Sequence, residues 1–96
     1  MAEAVFDSVV IRSNFLIKID EEKLVDNGYK PYDKVIVQIM EISKVENGNY
    51  TVTTSGEIRK DMLIRIDKKD LKNTTLKPKD KIIVKLMPME LLNGII

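Results

Sequence analysis

Short apolar runs recur along the chain, each bounded by charged or turn-forming residues. Val5–Arg12 and Tyr50–Arg59 are rich in β-branched residues and predict first strands. Phe15–Ile19 (FLIKI) and Met62–Ile66 (MLIRI) predict second strands. Their nearly continuous apolar run, broken only by Lys18 or Arg65, suits a strand in a closed barrel. Lys34–Ile42 and Lys81–Met87 predict third strands. Between second and third strands, Asp20 and Asp67 are placed to cap short helices of up to two turns, with Leu24 and Leu71 as core anchors. Asn27-Gly28 supplies a left-handed helix end, whereas Asn73-Thr74-Thr75 ends the second helix without glycine. Ser55-Gly56 predicts a bend or bulge in the fourth strand. Lys30-Pro31-Tyr32-Asp33 and Lys77-Pro78-Lys79-Asp80 are turns, with proline presetting φ and aspartate bonding its own backbone. Asn47-Gly48 predicts a hairpin that joins the third strand directly to the fourth.

This order is one pattern written twice. Shifted by 47 positions, Val5–Met40 falls on Val52–Met87 without a gap, and sixteen of the 36 pairs are identical. A unit of about forty residues is too small to bury a stable core alone, so the copies must share one. Two copies are too few for a stacked array. The expectation is therefore a single barrel domain over residues 1–96. Its parts are repeat one at about 5–40, a hairpin linker at 41–51, repeat two at about 52–87, and an apolar tail at 88–96. The fold class is mainly β: a six-stranded pseudo-twofold barrel built as (β-β-α-β) twice, with two short helices.

Composition removes several chemistries. The chain has no cysteine and no histidine, so disulfides, thiolate nucleophiles, imidazole acid–base steps and the usual zinc sites are excluded. There is no Gly-rich phosphate loop, Walker motif or nucleophile elbow. No enzyme activity, cofactor or metal is expected. No apolar run reaches the roughly 18 residues of a membrane span. With no signal-peptide pattern, a cytoplasmic protein without membrane partners is expected.

The net charge of +1 hides an asymmetry. Residues 1–47 carry six basic and nine acidic groups, and residues 48–96 carry ten basic and six acidic groups. Helix one opens Asp20-Glu21-Glu22-Lys23, which suits the positive end of a helix dipole, and helix two opens Asp67-Lys68-Lys69-Asp70, which opposes it. An anionic partner could compensate those lysines; screening by solvent is a sufficient alternative. Arg12 and Arg59 recur in the loop between first and second strands. An arginine there can hold a phosphate or carboxylate bidentately, or can pin its loop to a nearby aspartate. Lys60 and Arg65 make the second loop the more basic. The candidate nucleic-acid or partner-binding residues are Arg12, Arg59, Lys60, Arg65, Lys68 and Lys69. Asn14 is a turn residue that could also reach an anion. Phe15 and Tyr29 align with Met62 and Leu76 and are expected in the core, while Tyr32 and Tyr50 are expected outside.

The strings LIKIDEEKLVDNGYKPYDKVIVQI and LIRIDKKDLKNTTLKPKDKIIVKL resemble the recurring segment of cradle-loop barrels. That superfamily includes AbrB-type swapped-hairpin transcription factors and antitoxins, RIFT barrels, and the double-psi barrels of AAA ATPase N-domains. The shared pattern is a strand, a capped short helix, a turn of the KPGDKV type and another strand, and it covers about half of the chain. The resemblance implies a tandem-duplicated barrel in one chain. It implies a small DNA-binding transcriptional regulator similar to AbrB-type proteins, or a protein-interaction adaptor similar to AAA N-domains. Duplex DNA or an acidic protein would be the partner, and the chain would be a monomeric barrel or weak homodimer. AbrB-type DNA binders usually place Gly-Arg before the second strand and proline after it. Here those places hold Phe15-Leu16 and Asp20, and Met62-Leu63 and Asp67. The DNA-contacting residues of the family therefore do not carry over position by position.

Overall fold

The computed structural model describes residues 3–41, 52–71, 74 and 76–89. Six strands, β1 (Ala4–Ile11), β2 (Leu16–Lys18), β3 (Lys34–Glu41), β4 (Val52–Ile58), β5 (Ile64–Ile66) and β6 (Lys81–Pro88), close into a barrel. The order around the barrel is β1-β2-β5-β4-β3-β6, and every pairing is antiparallel. The two halves of the sequence therefore interleave. β2 pairs with β5, and β6 lies between β1 and β3. The expected Asn47-Gly48 hairpin, Tyr50 and the tail after Met89 lie outside the described residues.

Alternation along the strands sends one face inward. Ile11, Ile17, Val35, Val37, Ile39, Ile58, Ile64, Ile82, Val84 and Leu86 are fully enclosed and form one continuous core. Leu24, Tyr29, Leu71 and Leu76 join it from the two crossovers. Burial of each such side chain contributes about 1.5–3 kcal/mol relative to exposure.

The first crossover carries α1 (Glu21–Asp26). The Asp20 carboxylate accepts from the Glu22 amide at 3.0 Å, and Glu21 and Glu22 complement the first turn. At the other end Gly28 has φ 83°, the Gly28 amide donates to the Val25 carbonyl at 2.9 Å, and the Tyr29 amide donates to Leu24 at 3.0 Å. This is a Schellman closure, with buried Tyr29 and Leu24 as its apolar pair.

The second crossover corrects the expectation of two short helices. Its equivalent segment, Lys68–Leu71, is a single 3-10 turn. Asp67 still caps it, accepting from the Lys69 amide at 2.9 Å. What differs is the ends. Lys68 and Lys69 oppose the dipole of the first turn, and the Leu71 carbonyl is taken by the Thr74 hydroxyl at 2.8 Å and the Thr74 amide at 3.1 Å. Asp70 is also drawn away, accepting from the buried Thr54 hydroxyl at 2.6 Å.

A bulge is present, but in β1 instead of at Ser55-Gly56. Phe6 lies opposite Val84 and Val9 opposite Ile82, so Asp7 and Ser8 face one residue of β6. β4 runs beside β3 without a shift from Glu57 to Val52. Gly56 marks a close approach. A Cβ there would stand 2.9 Å from the Arg65 carbonyl oxygen and 3.1 Å from the Ile64 side chain.

Candidate cation-lined groove

The β1–β2 and β4–β5 hairpins share one loop geometry. The Arg12 amide donates to Leu16 at 2.8 Å and the Phe15 amide donates back to Arg12 at 2.9 Å. The Arg59 amide donates to Leu63 at 2.7 Å and the Met62 amide to Arg59 at 2.9 Å. Phe15 and Met62 close these turns in the left-handed region, at φ 60° and 67°. Side chains brace both turns: Asn14 Oδ1 accepts from the Leu16 amide at 3.3 Å, and Asp61 Oδ1 accepts from the Leu63 amide at 3.2 Å.

Pairing of β2 with β5 sets Leu16 opposite Arg65 and so brings the two loop regions to one face. A groove of about 570 Å³ opens there, lined by Asn14, Phe15 and Leu16 from the first half and by Arg59, Arg65, Ile66, Asp67, Lys68 and Lys69 from the second. Four of the six nominated cations thus converge on it, from a hairpin loop, a strand and a 3-10 turn. Arg65 also borders a neighbouring groove of about 380 Å³ with Lys34, Glu57 and Asp67. Lys60 stands apart, in a depression with Arg59 and Asp61. Arg12 is exposed and does not line the main groove.

Arg59 is already engaged. Its Nη2 lies 3.1 Å from Asp61 Oδ2, and the side chain is 35 % exposed. Such a pair in solvent contributes little to stability, but it occupies the guanidinium face that would grip an anion. Asp61 was not among the residues nominated from sequence; its signal is its place two residues after Arg59, where the first half has Asn14. Phe15, expected in the core, is only partly buried and supplies an apolar wall beside Leu16. Asp33 and Asp80 act within their turns, accepting from the Lys30 amide at 2.9 Å and the Lys77 amide at 3.0 Å.

The arrangement offers cations, one apolar wall and one carboxylate, Asp67, in a shallow open trough. It can hold an extended anionic surface against which Phe15 and Leu16 pack. Comparisons with family models, with curated proteins and with solved structures returned no match.

Proposed function

We propose that this chain is a tandem-duplicated barrel of the cradle-loop kind that works as a small DNA-binding regulator in the cytoplasm, touching the phosphate backbone through the groove between its halves. The convergence of Arg59, Arg65, Lys68 and Lys69 on that groove carries the reading. Duplication is supported by backbone features that recur 47 positions apart: φ 60° and 67° at Phe15 and Met62, and φ 73° and 76° at Tyr32 and Lys79. It is further supported by strand pairings that stay the same set when β1, β2 and β3 exchange with β4, β5 and β6. Phosphate contacts position a protein without reading sequence. With Arg59 held by Asp61, roughly three contacts remain, and log affinity should fall with log salt at a slope near −3.

A titration of amide signals with duplex DNA at low salt tests the reading. Signals of Arg65, Lys68 and Lys69 should move more than those of Arg12 and Lys18. A several-fold excess of duplex that moves none of them ends the proposal. The apolar wall of Phe15 and Leu16 favours a second reading, in which the trough docks an acidic protein segment, as an adaptor similar to AAA N-domains would. An acidic peptide containing aromatic residues, but not duplex DNA, would then move Phe15 and Leu16.

A further inference from the structure

The two halves differ most where they meet in the cation-lined groove. Phe15 and Met62 close the two equivalent turns at φ 60° and 67°. Met62 is 8 % exposed and belongs to the core cluster, whereas Phe15 is partly buried and only packs against that cluster. Lys68 and Lys69 stand where the first half has Glu21 and Glu22, and Arg65 stands where it has Lys18. The ring comes from one half and these three cations from the other, yet all line the same groove. Pairing of β2 with β5 joins them. It sets Ile17 opposite Ile64, both in the core, and Leu16 opposite Arg65. By alternation Leu16 and Arg65 face outward, and both line the groove. Arg65, Lys68 and Lys69 are exposed, so an aromatic ring stands beside three solvated cations.

We infer that the nucleic acid this groove selects is single-stranded, with an unpaired base stacked on Phe15 and neighbouring phosphates held by Arg65, Lys68 and Lys69. This rests on the DNA reading above and narrows its ligand. In a duplex the base faces are stacked on one another, and a trough in a protein wall meets phosphate, sugar and base edges. Phe15 then gives up water without a ring to pack on. A single strand presents a π-face at every base, and a ring beside a cationic track takes any of them. Arg65 suits the same ligand better than the lysine of the first half, because a planar guanidinium stacks on rings as well as binding phosphate. At about 570 Å³ the groove is of the size that holds a small organic molecule, and a nucleotide is one. Charge alone favours the opposite choice, since a duplex carries the denser array of phosphates. A preference for the single strand is therefore diagnostic of the ring.

The second half supplies the control variant. Phe15→Met installs the residue that Met62 shows is accepted at positive φ in the same loop geometry. Affinities of the full chain for labelled oligonucleotides at low salt provide the measurement. The parent chain should bind a mixed-sequence single strand of about ten nucleotides about fivefold more tightly than a duplex of that length. Ring signals of Phe15 should move upfield with the single strand and stay in place with the duplex. Phe15→Met should weaken single-strand binding about fivefold and leave duplex affinity and both salt slopes unchanged. The parent-chain comparison holds whatever the stability of the variant. Equal affinity for the two forms, or a Phe15→Met variant that weakens both alike, overturns the inference and leaves the duplex reading standing. A chain that binds neither form overturns both, and Phe15 signals that move only with an acidic aromatic peptide assign the groove to a protein.

Discussion

The Lys79 amide donates to the Ile11 carbonyl at 2.7 Å, joining the last turn of the barrel to the end of its first strand. The Ile11 amide returns the contact to the Asp80 carbonyl at 3.1 Å. The other half does the same: the Tyr32 amide donates to Ile58 at 2.7 Å, and the Ile58 amide donates to Asp33 at 3.0 Å. Each Lys-Pro turn therefore fastens the first strand of the opposite half. Both turns place a side-chain-bearing residue where a type II turn favours glycine, Tyr32 at φ 73° and Lys79 at φ 76°.

That strain can be relieved without loosening the clasp. Lys79→Gly keeps the donor and removes about 1–2 kcal/mol of left-handed strain, offset by about 0.5–1 kcal/mol of extra unfolded-state freedom. A net gain of about 0.5–1 kcal/mol is expected. Lys79→Pro deletes the donor and forbids the positive φ, and should cost about 3 kcal/mol or more. Denaturant midpoints of the two variants should move in opposite directions.

Gly56→Ala should cost about 1–3 kcal/mol, because its Cβ would meet a backbone oxygen of β5 instead of a movable side-chain tip. Since the obstructing atom belongs to Arg65, the amide signals of Ile64 to Ile66 should shift more than those of β1. Equal stability of variant and parent chain would contradict the close approach.

Asp61→Asn should strengthen binding to duplex DNA. The first half shows that an Asn in this place still braces the turn, through Asn14. The substitution therefore leaves the loop intact and frees the Arg59 guanidinium from its 3.1 Å partner. Affinity at low salt should rise several-fold, with the salt slope steeper by about one. A weaker or unchanged slope would show that Arg59 faces away from the bound anion.

Tyr29 makes stability fall at high pH. Burial, with smaller contributions from Glu3 and Asp33, pushes its phenol from 10.0 up to about 12. The folded state thus favours the neutral form, and the unfolded chain releases the proton first. Stability from this group is complete below about pH 10 and is lost between about pH 10 and 12, on the order of 2–3 kcal/mol. Tyr29→Phe should flatten that part of the stability profile, and phenolate absorbance should lose a step at about pH 12.

Features set by neighbouring residues were the most legible in the sequence. The Asp20 and Asp67 caps, the Asp33 and Asp80 turn bonds and the Gly28 helix end each need only a few consecutive residues. Strand positions followed from apolar runs, and the burial of Leu24 and Leu71 from their place in the capped turns. Features set by distant partners were not legible. The β1 bulge arises from register with β6, and the gapless 47-residue shift hides it by aligning buried Phe6 with exposed Thr53. The 3-10 turn reflects in part the capture of Asp70 by Thr54, sixteen residues away in the chain, which the local sequence does not show. The groove could be nominated as a set of cations. Its apolar wall could not, because Phe15 and Leu16 arrive through the pairing of β2 with β5.

β6 forms ladders with both β1 and β3, yet it is the last of the six strands to leave the ribosome. Until then the nascent chain carries two long strands whose mutual neighbour has not been synthesised. Ring closure must wait for it, and such non-local pairing is slow. Translation thus leaves an interval in which exposed strand flanks can capture other chains, and that interval ends when Lys81–Pro88 slots into place.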